Sequence, residues 1–194
     1  MGTRGTLRVY VNDEIKIRQY NQWDSYPTGQ FQEICEFMEN NKYVRLLTEK
    51  LLNVSFAPAK TINRIISGKS PKDTGEAWLR VFIDRDIGAR ILLLIIGSPY
   101  NANLLPDWLE VHRDGFCTGV DKTTEELPDE EGNYEIHIMC EVEELSAWRK
   151  ALKPDSKVTF RLSGDWHGCK REFDWNHIPT KDEIEEWEQE PDKE

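Results

Sequence analysis

Two short segments near the N-terminus decide the fold: residues 6–11 read T-L-R-V-Y-V, and residues 14–20 read E-I-K-I-R-Q-Y. Apolar and polar side chains alternate in both segments, which is the period of a β-strand with one buried face. Asn12 and Asp13 lie between the segments, and both residue types tolerate the left-handed backbone of a tight turn. The sequence therefore predicts an N-terminal β-hairpin.

A loop and a helical region follow the hairpin. Residues 21–29 read N-Q-W-D-S-Y-P-T-G, a run of turn formers and aromatic residues that predicts a loop. From residue 30 to about residue 66, apolar side chains recur at the spacing of helices with one buried face. Asn40–Asn41 and Pro58 interrupt this pattern, so we expect three helices there.

The apolar run at residues 91–96 allows two interpretations. We expect a helix within residues 76–96, at least from Asp86 onward. A buried strand at residues 91–96 is the alternative, because a short apolar run with β-branched side chains also suits a fully buried strand.

Strand patterns return in the C-terminal half. Alternation predicts strands at residues 108–112, 134–142, 157–162 and 171–175, with a hairpin across residues 164–168 joining the last two. Residues 181–190 are then predicted as a polar helix. Thr180 suits its N-cap, and Glu183 would complete a capping box.

The order of strands, helices and strands predicts an α+β fold, in which helices pack on a layered, largely antiparallel sheet. The chain of 194 residues is within the usual size of one domain. We expect that domain at residues 1–180, followed by an acidic C-terminal helix or tail at residues 181–194.

The charge of the chain limits the classes of partner. The formal net charge is −11, and a negative surface repels phosphate backbones and anionic membranes. The longest apolar stretch is residues 91–97, whereas a membrane-spanning helix needs about 20 residues, and no secretory signal is found. We therefore expect a cytoplasmic protein with neither a nucleic-acid nor a membrane partner.

The common cofactor and metal motifs are incomplete. Residues 67–70 read S-G-K-S, but Asn63 stands where a phosphate-binding loop needs its first glycine. His167 and Cys169 form the best local pair for a metal. Zinc sites usually need two such pairs, and the sequence offers one. The cysteines show no C-x-x-C and are expected to be reduced packing residues: Cys35, Cys117, Cys140 and Cys169. We expect no cofactor and no metal.

The open end of the hairpin gathers chemically varied side chains. A hairpin brings its two ends together, so residues 2–5 (G-T-R-G) should lie beside residues 20–29. The side chains expected to meet there are Thr3, Arg4, Asn21, Trp23, Asp24, Ser25 and Tyr26. This mixture suits a small anionic or amide-bearing ligand. The alternative is a structural hub, in which Asp24 pairs with Arg4 and the aromatic side chains anchor the hairpin.

The same segments resemble a protein family. G-T-R-G at residues 2–5, followed by Y-N-x-[aromatic]-D-S-Y-P-x-G at residues 20–29, resembles a scattered, uncharacterised family of phage, bacterial and fungal proteins. The resemblance covers about the first 30 residues, and later parts such as residues 88–92 match loosely. Where other members commonly have P-x-G-L-G, this chain has P-T-G-Q-F at residues 27–31.

The hairpin start and the layered order also resemble an N-terminal-nucleophile (Ntn) hydrolase with its αββα layers. That resemblance implies that Thr3 would attack an amide, with its own α-amine as base and with Asn21 or Asp24 orienting the reaction. The chain departs from the pattern because ordinary removal of Met1 exposes Gly2, so Thr3 would need a second cleavage.

Two functions from different classes follow. The first is a small-ligand-binding domain with its pocket at the open end of the hairpin, which would be a degenerate or an active Ntn-type amidohydrolase. The alternative is a non-enzymatic acidic factor that binds a protein partner, for example a phage- or host-encoded counter-defence or regulatory protein. Its basis is the acidic run within residues 125–131 and Trp187 in the acidic C-terminal segment.

Overall fold

The computed structural model describes residues 3–21, 23–52, 88–97, 131–146 and 149–193. Seven strands lie in this part of the chain: β1 (Gly5–Val11), β2 (Glu14–Asn21), β3 (Gly132–Met139), β4 (Val142–Ser146), β5 (Arg149–Leu152), β6 (Thr159–Trp166) and β7 (Cys169–Asp174). The helices are α1 (Gln32–Met38), α2 (Asn41–Leu51), α3 (Arg90–Gly97) and α4 (Lys181–Glu188), with a π-helical turn at Pro27–Phe31 and a 3₁₀ turn at Glu190–Lys193.

The larger sheet has five strands in the order β2-β1-β3-β6-β7. Strands β1 and β3 are parallel, and the other neighbouring pairs are antiparallel. A separate antiparallel pair is formed by β4 and β5. The α+β fold with a largely antiparallel sheet is therefore confirmed. The described residues do not show a second large sheet, so the αββα layout stays a prediction.

The N-terminal hairpin forms as predicted. Asn12 and Asp13 have φ angles of 49° and 64°, the left-handed conformation that joins β1 to β2. The turn also holds the end of β3, since the Asn12 N–H donates to the Ile138 carbonyl at 2.9 Å. The Asn12 side chain accepts from the Cys140 N–H at 3.0 Å. This contact explains why the strand predicted at residues 134–142 ends at Met139 and resumes as β4.

One face of the sheet builds the core. Alternate residues of β1 and β3 are fully or almost fully buried and pair in register as Leu7 with Tyr134, Val9 with Ile136 and Val11 with Ile138. The helices bury their apolar faces in the same cluster, with Ile34, Met38, Leu47, Leu51, Ile91, Leu92 and Ile95 as the main contributors. Helical periodicity in residues 30–52 therefore predicted the packing of α1 and α2 correctly.

Two local predictions are resolved by the structure. Residues 90–97 form a helix, so the strand alternative for residues 91–96 was wrong. The predicted hairpin between β6 and β7 forms, but its turn is only His167–Gly168, with φ angles of 48° and 86°. Gly164 to Trp166 belong to β6 because they pair with β7. The predicted strand at 108–112, the helices within residues 53–66 and the acidic run at 125–130 lie outside the described residues.

The C-terminal helix is capped as predicted. The Thr180 hydroxyl accepts from the Glu183 N–H at 3.4 Å, and the Glu183 carboxylate accepts from the Thr180 N–H at 2.7 Å. These two bonds form a capping box, which satisfies two N–H groups at the helix start.

The same helix belongs to the core, whereas the sequence separated residues 181–194 from the domain as an acidic helix or tail. Ile184 and Trp187 are 1% and 2% exposed. The Trp187 indole donates to the Cys169 carbonyl at 2.8 Å, and its ring lies against Gly164, where a Cβ atom would approach it to 2.4 Å. The acidic residues occupy the solvent side of α4. Because they outnumber Ile184 and Trp187, the sequence pattern of this segment is polar and does not indicate that these two apolar residues pack in the core.

The opposite face of the sheet carries a polar cluster. The Arg8 guanidinium donates to the Glu135 carboxylate at 3.2 Å, and His137 Nε2 lies 3.0 Å from the same carboxylate. The His137 ring stacks on Tyr10 at 4.4 Å between centroids. Burial alone would raise the pKa of Glu135, but the hydrogen bonds and charges of His137 and Arg8 outweigh it and lower that pKa.

None of the helices in the described ranges is long and apolar enough to cross a membrane.

Replacing Trp187 with Ala should lower the free energy of unfolding by about 3–5 kcal/mol, because a large buried ring and its hydrogen bond are lost. Trp175→Ala is the matched control, since Trp175 is 40% exposed and contacts Lys157 through its ring face. It should cost about 1 kcal/mol or less. Chemical denaturation measures both. If Trp187→Ala lowered the free energy of unfolding no more than Trp175→Ala does, α4 would not be part of the core.

Replacing Glu135 with Gln should destabilise the protein at neutral pH, with an effect that fades in acid. The folded-state pKa of Glu135 is lowered, so its carboxylate stabilises the fold above the unfolded-state pKa. That contribution is lost as the pH falls through the folded-state value. Urea unfolding at pH 7 and at about pH 3 tests this, with the exposed Glu143→Gln as control. A Glu135→Gln effect of the same size at both pH values would contradict it.

Candidate functional site

A cavity of about 440 Å³ lies where β2 ends and α3 begins. Three parts of the chain form its wall. The loop after β2 contributes Asn21, Trp23, Asp24 and Tyr26, the π-helical turn and α1 contribute Gly29, Gln30 and Glu33, and the start of α3 contributes Gly88, Ala89 and Arg90. The cavity therefore joins the open end of the hairpin to residues far away in sequence.

A tight backbone loop sets the position of Gln30 in the wall. Asp24 has a left-handed φ of 56°, and its carbonyl accepts from the Gln30 N–H at 3.1 Å. The Tyr26 carbonyl accepts from the Gly29 N–H at 3.0 Å. A Cβ atom at Gly29 would lie 2.5 Å from the Asp24 carbonyl, so only glycine fits. Single π-helical turns of this kind are frequent at functional sites.

The Asn21 side chain is the centre of a buried hydrogen-bond network. Asn21 is 4% exposed, and its Nδ2 donates to Ser25 Oγ and to Gln30 Oε1, each at 3.0 Å. Nδ2 also contacts the Trp23 carbonyl, and the Ser25 hydroxyl donates to Gln30 Oε1 at 3.2 Å. Exchanging the oxygen and nitrogen of the Asn21 amide would place an oxygen against three other oxygens. The network therefore fixes the orientation of this amide.

Two polar atoms of this network have no hydrogen-bond partner among the described residues. Asn21 Oδ1 and Gln30 Nε2 are buried and form no hydrogen bond within the part of the chain that the structure describes. Leaving a buried donor or acceptor unsatisfied costs about 1–3 kcal/mol each. Asn21 and Gln30 both line the cavity, and these two atoms, one acceptor and one donor on neighbouring amides, are buried within its wall.

The start of α3 lies directly over the Asn21 amide. A Cβ atom at Gly88 would lie 3.3 Å from Asn21 Nδ2 and 3.4 Å from its Cγ atom, and Gly88 has a left-handed φ of 51°. Both the close approach and the backbone conformation therefore favour glycine at this position. This contact brings Ala89 and Arg90 into the wall.

Charged groups surround the cavity. Asp24 and Glu33 supply carboxylates and Arg90 a guanidinium, with Arg90 Nε lying 3.8 Å from Glu33 Oε1. Burial raises the pKa of Glu33, Glu36 and Asp24 raise it further, and Arg90 only partly offsets them. The charge of Asp24 is also the main cause of a raised pKa at the Tyr26 hydroxyl. The raised pKa of Tyr26 therefore reflects chiefly the negative charge of Asp24, whereas that of Glu33 reflects chiefly burial.

The predicted site residues divide into two groups. Asn21, Trp23, Asp24 and Tyr26 line the cavity, whereas Thr3, Arg4 and Ser25 do not. Ser25 is fully buried and supports Asn21 and Gln30, and its N–H donates to the Thr3 carbonyl at 3.4 Å. The hairpin end thus brings Thr3 close to the loop as expected, but Thr3 contributes nothing to the cavity wall.

Arg4 has a structural contact instead of the expected ion pair. Its carbonyl accepts from the N–H groups of Glu131 and Gly132 at 3.0 and 3.1 Å, which joins β1 to β3. Its side chain is exposed, and no ion pair between Arg4 and Asp24 is found among the described residues. The form of the hub hypothesis that pairs these two residues was therefore wrong.

Several lining residues escaped the sequence analysis. The helical pattern that begins at Gln30 predicts an amphipathic helix and gives its side chain no role in a site. Its position directly before the apolar Phe31 is the local feature that could have indicated a buried polar side chain. Glu33 and Arg90 gave no local signal. Glu188 was also missed. Its carboxylate accepts from the Thr28 N–H at 2.7 Å and so ties α4 to the turn that carries Gln30.

The described residues of the cavity wall provide amide, carboxylate, guanidinium and aromatic groups. The Thr3 hydroxyl, which the Ntn resemblance makes the nucleophile, is not among the lining groups. Within the described ranges, no three His, Cys, Asp or Glu side chains are grouped so that they could hold a metal ion.

The chain matches no protein-family model, no curated protein and no solved structure. The resemblance of residues 2–5 and 20–29 to a phage, bacterial and fungal family stays a prediction.

Proposed function

We propose that the protein binds a small amide-bearing molecule in the cavity beside Asn21 and Gln30. The observation that carries this proposal is the pair of unpartnered atoms, Asn21 Oδ1 and Gln30 Nε2, on two buried amides that line the cavity. A ligand N–H would donate to Asn21 Oδ1, and a ligand carbonyl would accept from Gln30 Nε2.

An amide matches this pair because it offers one acceptor and at least one donor on adjacent atoms. Buried polar groups in native proteins almost always have hydrogen-bond partners, and each unsatisfied group is costly. Two ligand hydrogen bonds would remove both costs. The cavity volume of about 440 Å³ is within the range of small-molecule sites.

The charges favour an amide over an anion. The sequence suggested either class, but the described residues of the lining carry two carboxylates, Asp24 and Glu33, against one guanidinium, Arg90. A negatively charged ligand would have to approach this surplus of like charge, which is unfavourable. A neutral amide has no such cost, and it uses the free donor and acceptor.

The wall is organised before any ligand binds. Asn21 Nδ2 and the Asp24 carbonyl fix Gln30 through its side chain and its backbone. The Glu188 carboxylate accepts from the Thr28 N–H and so holds the turn directly before Gln30. Because these groups are already ordered, binding costs little side-chain entropy.

Hydrolysis and partner binding have weaker support. Amide hydrolysis by Thr3 stays a prediction, and the cavity does not favour it because Thr3 is outside the lining. The protein-interaction alternative relied partly on Trp187, which is 2% exposed and packs in the core. Its acidic run at residues 125–130 lies outside the described residues.

We expect butanamide to bind the wild-type protein with a Kd on the order of 1 mM, which is typical of a fragment of this size. Gln30→Glu should weaken binding about tenfold, because the carboxylate keeps the acceptors used by Asn21 and Ser25 but removes the Nε2 donor. Side-chain amide resonances followed by NMR titration at about pH 8 measure both affinities.

Gln32→Glu is the matched control, because it adds the same charge two residues away on a side chain that does not line the cavity. Its butanamide affinity should equal that of the wild type. Thermal unfolding of each variant confirms that the loop is intact. The proposal fails if butanamide does not bind, or if Gln30→Glu binds it as tightly as the wild type.

A further inference from the structure

The charges of the cavity define the ligand more narrowly than its amides do. We propose that the ligand carries a primary ammonium group in addition to its amide, with the carboxylates of Asp24 and Glu33 as the ammonium site. This inference rests on the proposed function, since it concerns a second group of the same ligand.

The two carboxylates are poorly neutralised by the protein. Within the described part of the chain, Asp24 has no ion-pair partner. Among the described residues, the ion-pair partner of Glu33 is Arg90, whose Nε lies 3.8 Å away and whose side chain is 71% exposed. Exposed ion pairs at such distances contribute little, because water and salt screen them. The described part of the lining, with two carboxylates and one guanidinium, therefore keeps a net negative charge.

The electrostatics of neighbouring groups agree with this surplus. The pKa of Glu33 is raised by burial and by the charges of Glu36 and Asp24, in spite of Arg90. The pKa of the Tyr26 hydroxyl is raised chiefly by the charge of Asp24. A cation bound beside these carboxylates would offset the part of both pKa shifts that comes from negative charge, whereas a neutral ligand would leave that part unchanged.

The hydrogen-bonding groups of the wall also favour a donor-rich ligand. Asn21 Oδ1 and the two carboxylates are acceptors, and the free donor of the buried network is Gln30 Nε2. An ammonium group offers three donors and no acceptor. The rings of Trp23 and Tyr26 add aromatic surface to the wall, and aromatic faces attract organic cations.

An ω-amino amide is the simplest molecule with both groups. The probes are the series from 3-aminopropanamide to 6-aminohexanamide, each compared with the parent amide that lacks the amine. Isothermal titration at low salt measures the affinities. We expect at least one member of the series to bind tenfold or more tightly than its parent amide, and this advantage should shrink as sodium chloride is added.

The double variant Asp24→Asn, Glu33→Gln tests the assigned carboxylates. Asparagine tolerates the left-handed backbone of position 24, so the loop should fold. The preference for the amino amide over its parent should fall to less than twofold. Glu144→Gln with Glu172→Gln is the control, because it removes the same charge from exposed positions on β4 and β7 and should keep the tenfold preference.

The outcomes separate this inference from the proposed function. If every amino amide binds no better than its parent while the parents bind, the ammonium site is absent and the amide site stands. If no amide binds at all, the proposed function fails with it. If the double variant keeps the tenfold preference, the carboxylates of Asp24 and Glu33 are not the ammonium site. These comparisons on the wild-type protein decide the inference even if the double variant does not fold.

Discussion

The side-chain amide of Asn21 joins the segments that form the wall of the cavity. It lies at the end of β2, and its Nδ2 contacts the Trp23 carbonyl, Ser25 Oγ and Gln30 Oε1. One side chain thereby joins the hairpin, the loop and the turn that leads into α1. Gly88 packs on the same amide and adds α3. Nδ2 is used to organise the protein, and the buried amide oxygen has no hydrogen-bond partner among the described residues.

Residues of the core hold the loop that contains Ser25 in place. The Tyr134 hydroxyl donates to the Ser25 carbonyl at 2.7 Å, and Gly132 approaches the same carbonyl so closely that a Cβ atom would lie 2.3 Å from it. Helix α4 fixes the turn through Glu188 and packs Trp187 against Phe31 and Tyr134. The cavity is consequently built on rigid elements, which is the condition for precise recognition of a small molecule.

Features with local causes were predictable from the sequence. The Asn12–Asp13 turn and the Thr180 capping box depend on neighbouring residues, and both formed as expected. Asn21, Trp23, Asp24 and Tyr26 were placed in the site because a hairpin must bring its ends together. Glu33 and Arg90 could not be assigned, because their roles come from packing between segments distant in sequence. Gln30 was missed although its partners Asn21 and Ser25 lie within nine residues of it. The burial of Trp187 was not predicted, because only Ile184 and Trp187 form the apolar face of a segment that is otherwise mostly acidic.

The central claim is that Asn21 and Gln30 together recognise an amide. The most direct measurement is a crystal structure of the protein grown with butanamide. The account expects the ligand nitrogen at about 2.7–3.2 Å from Asn21 Oδ1 and the ligand oxygen at a similar distance from Gln30 Nε2. An amide bound elsewhere, or either of these atoms bonded instead to a group of the chain itself, would contradict the account.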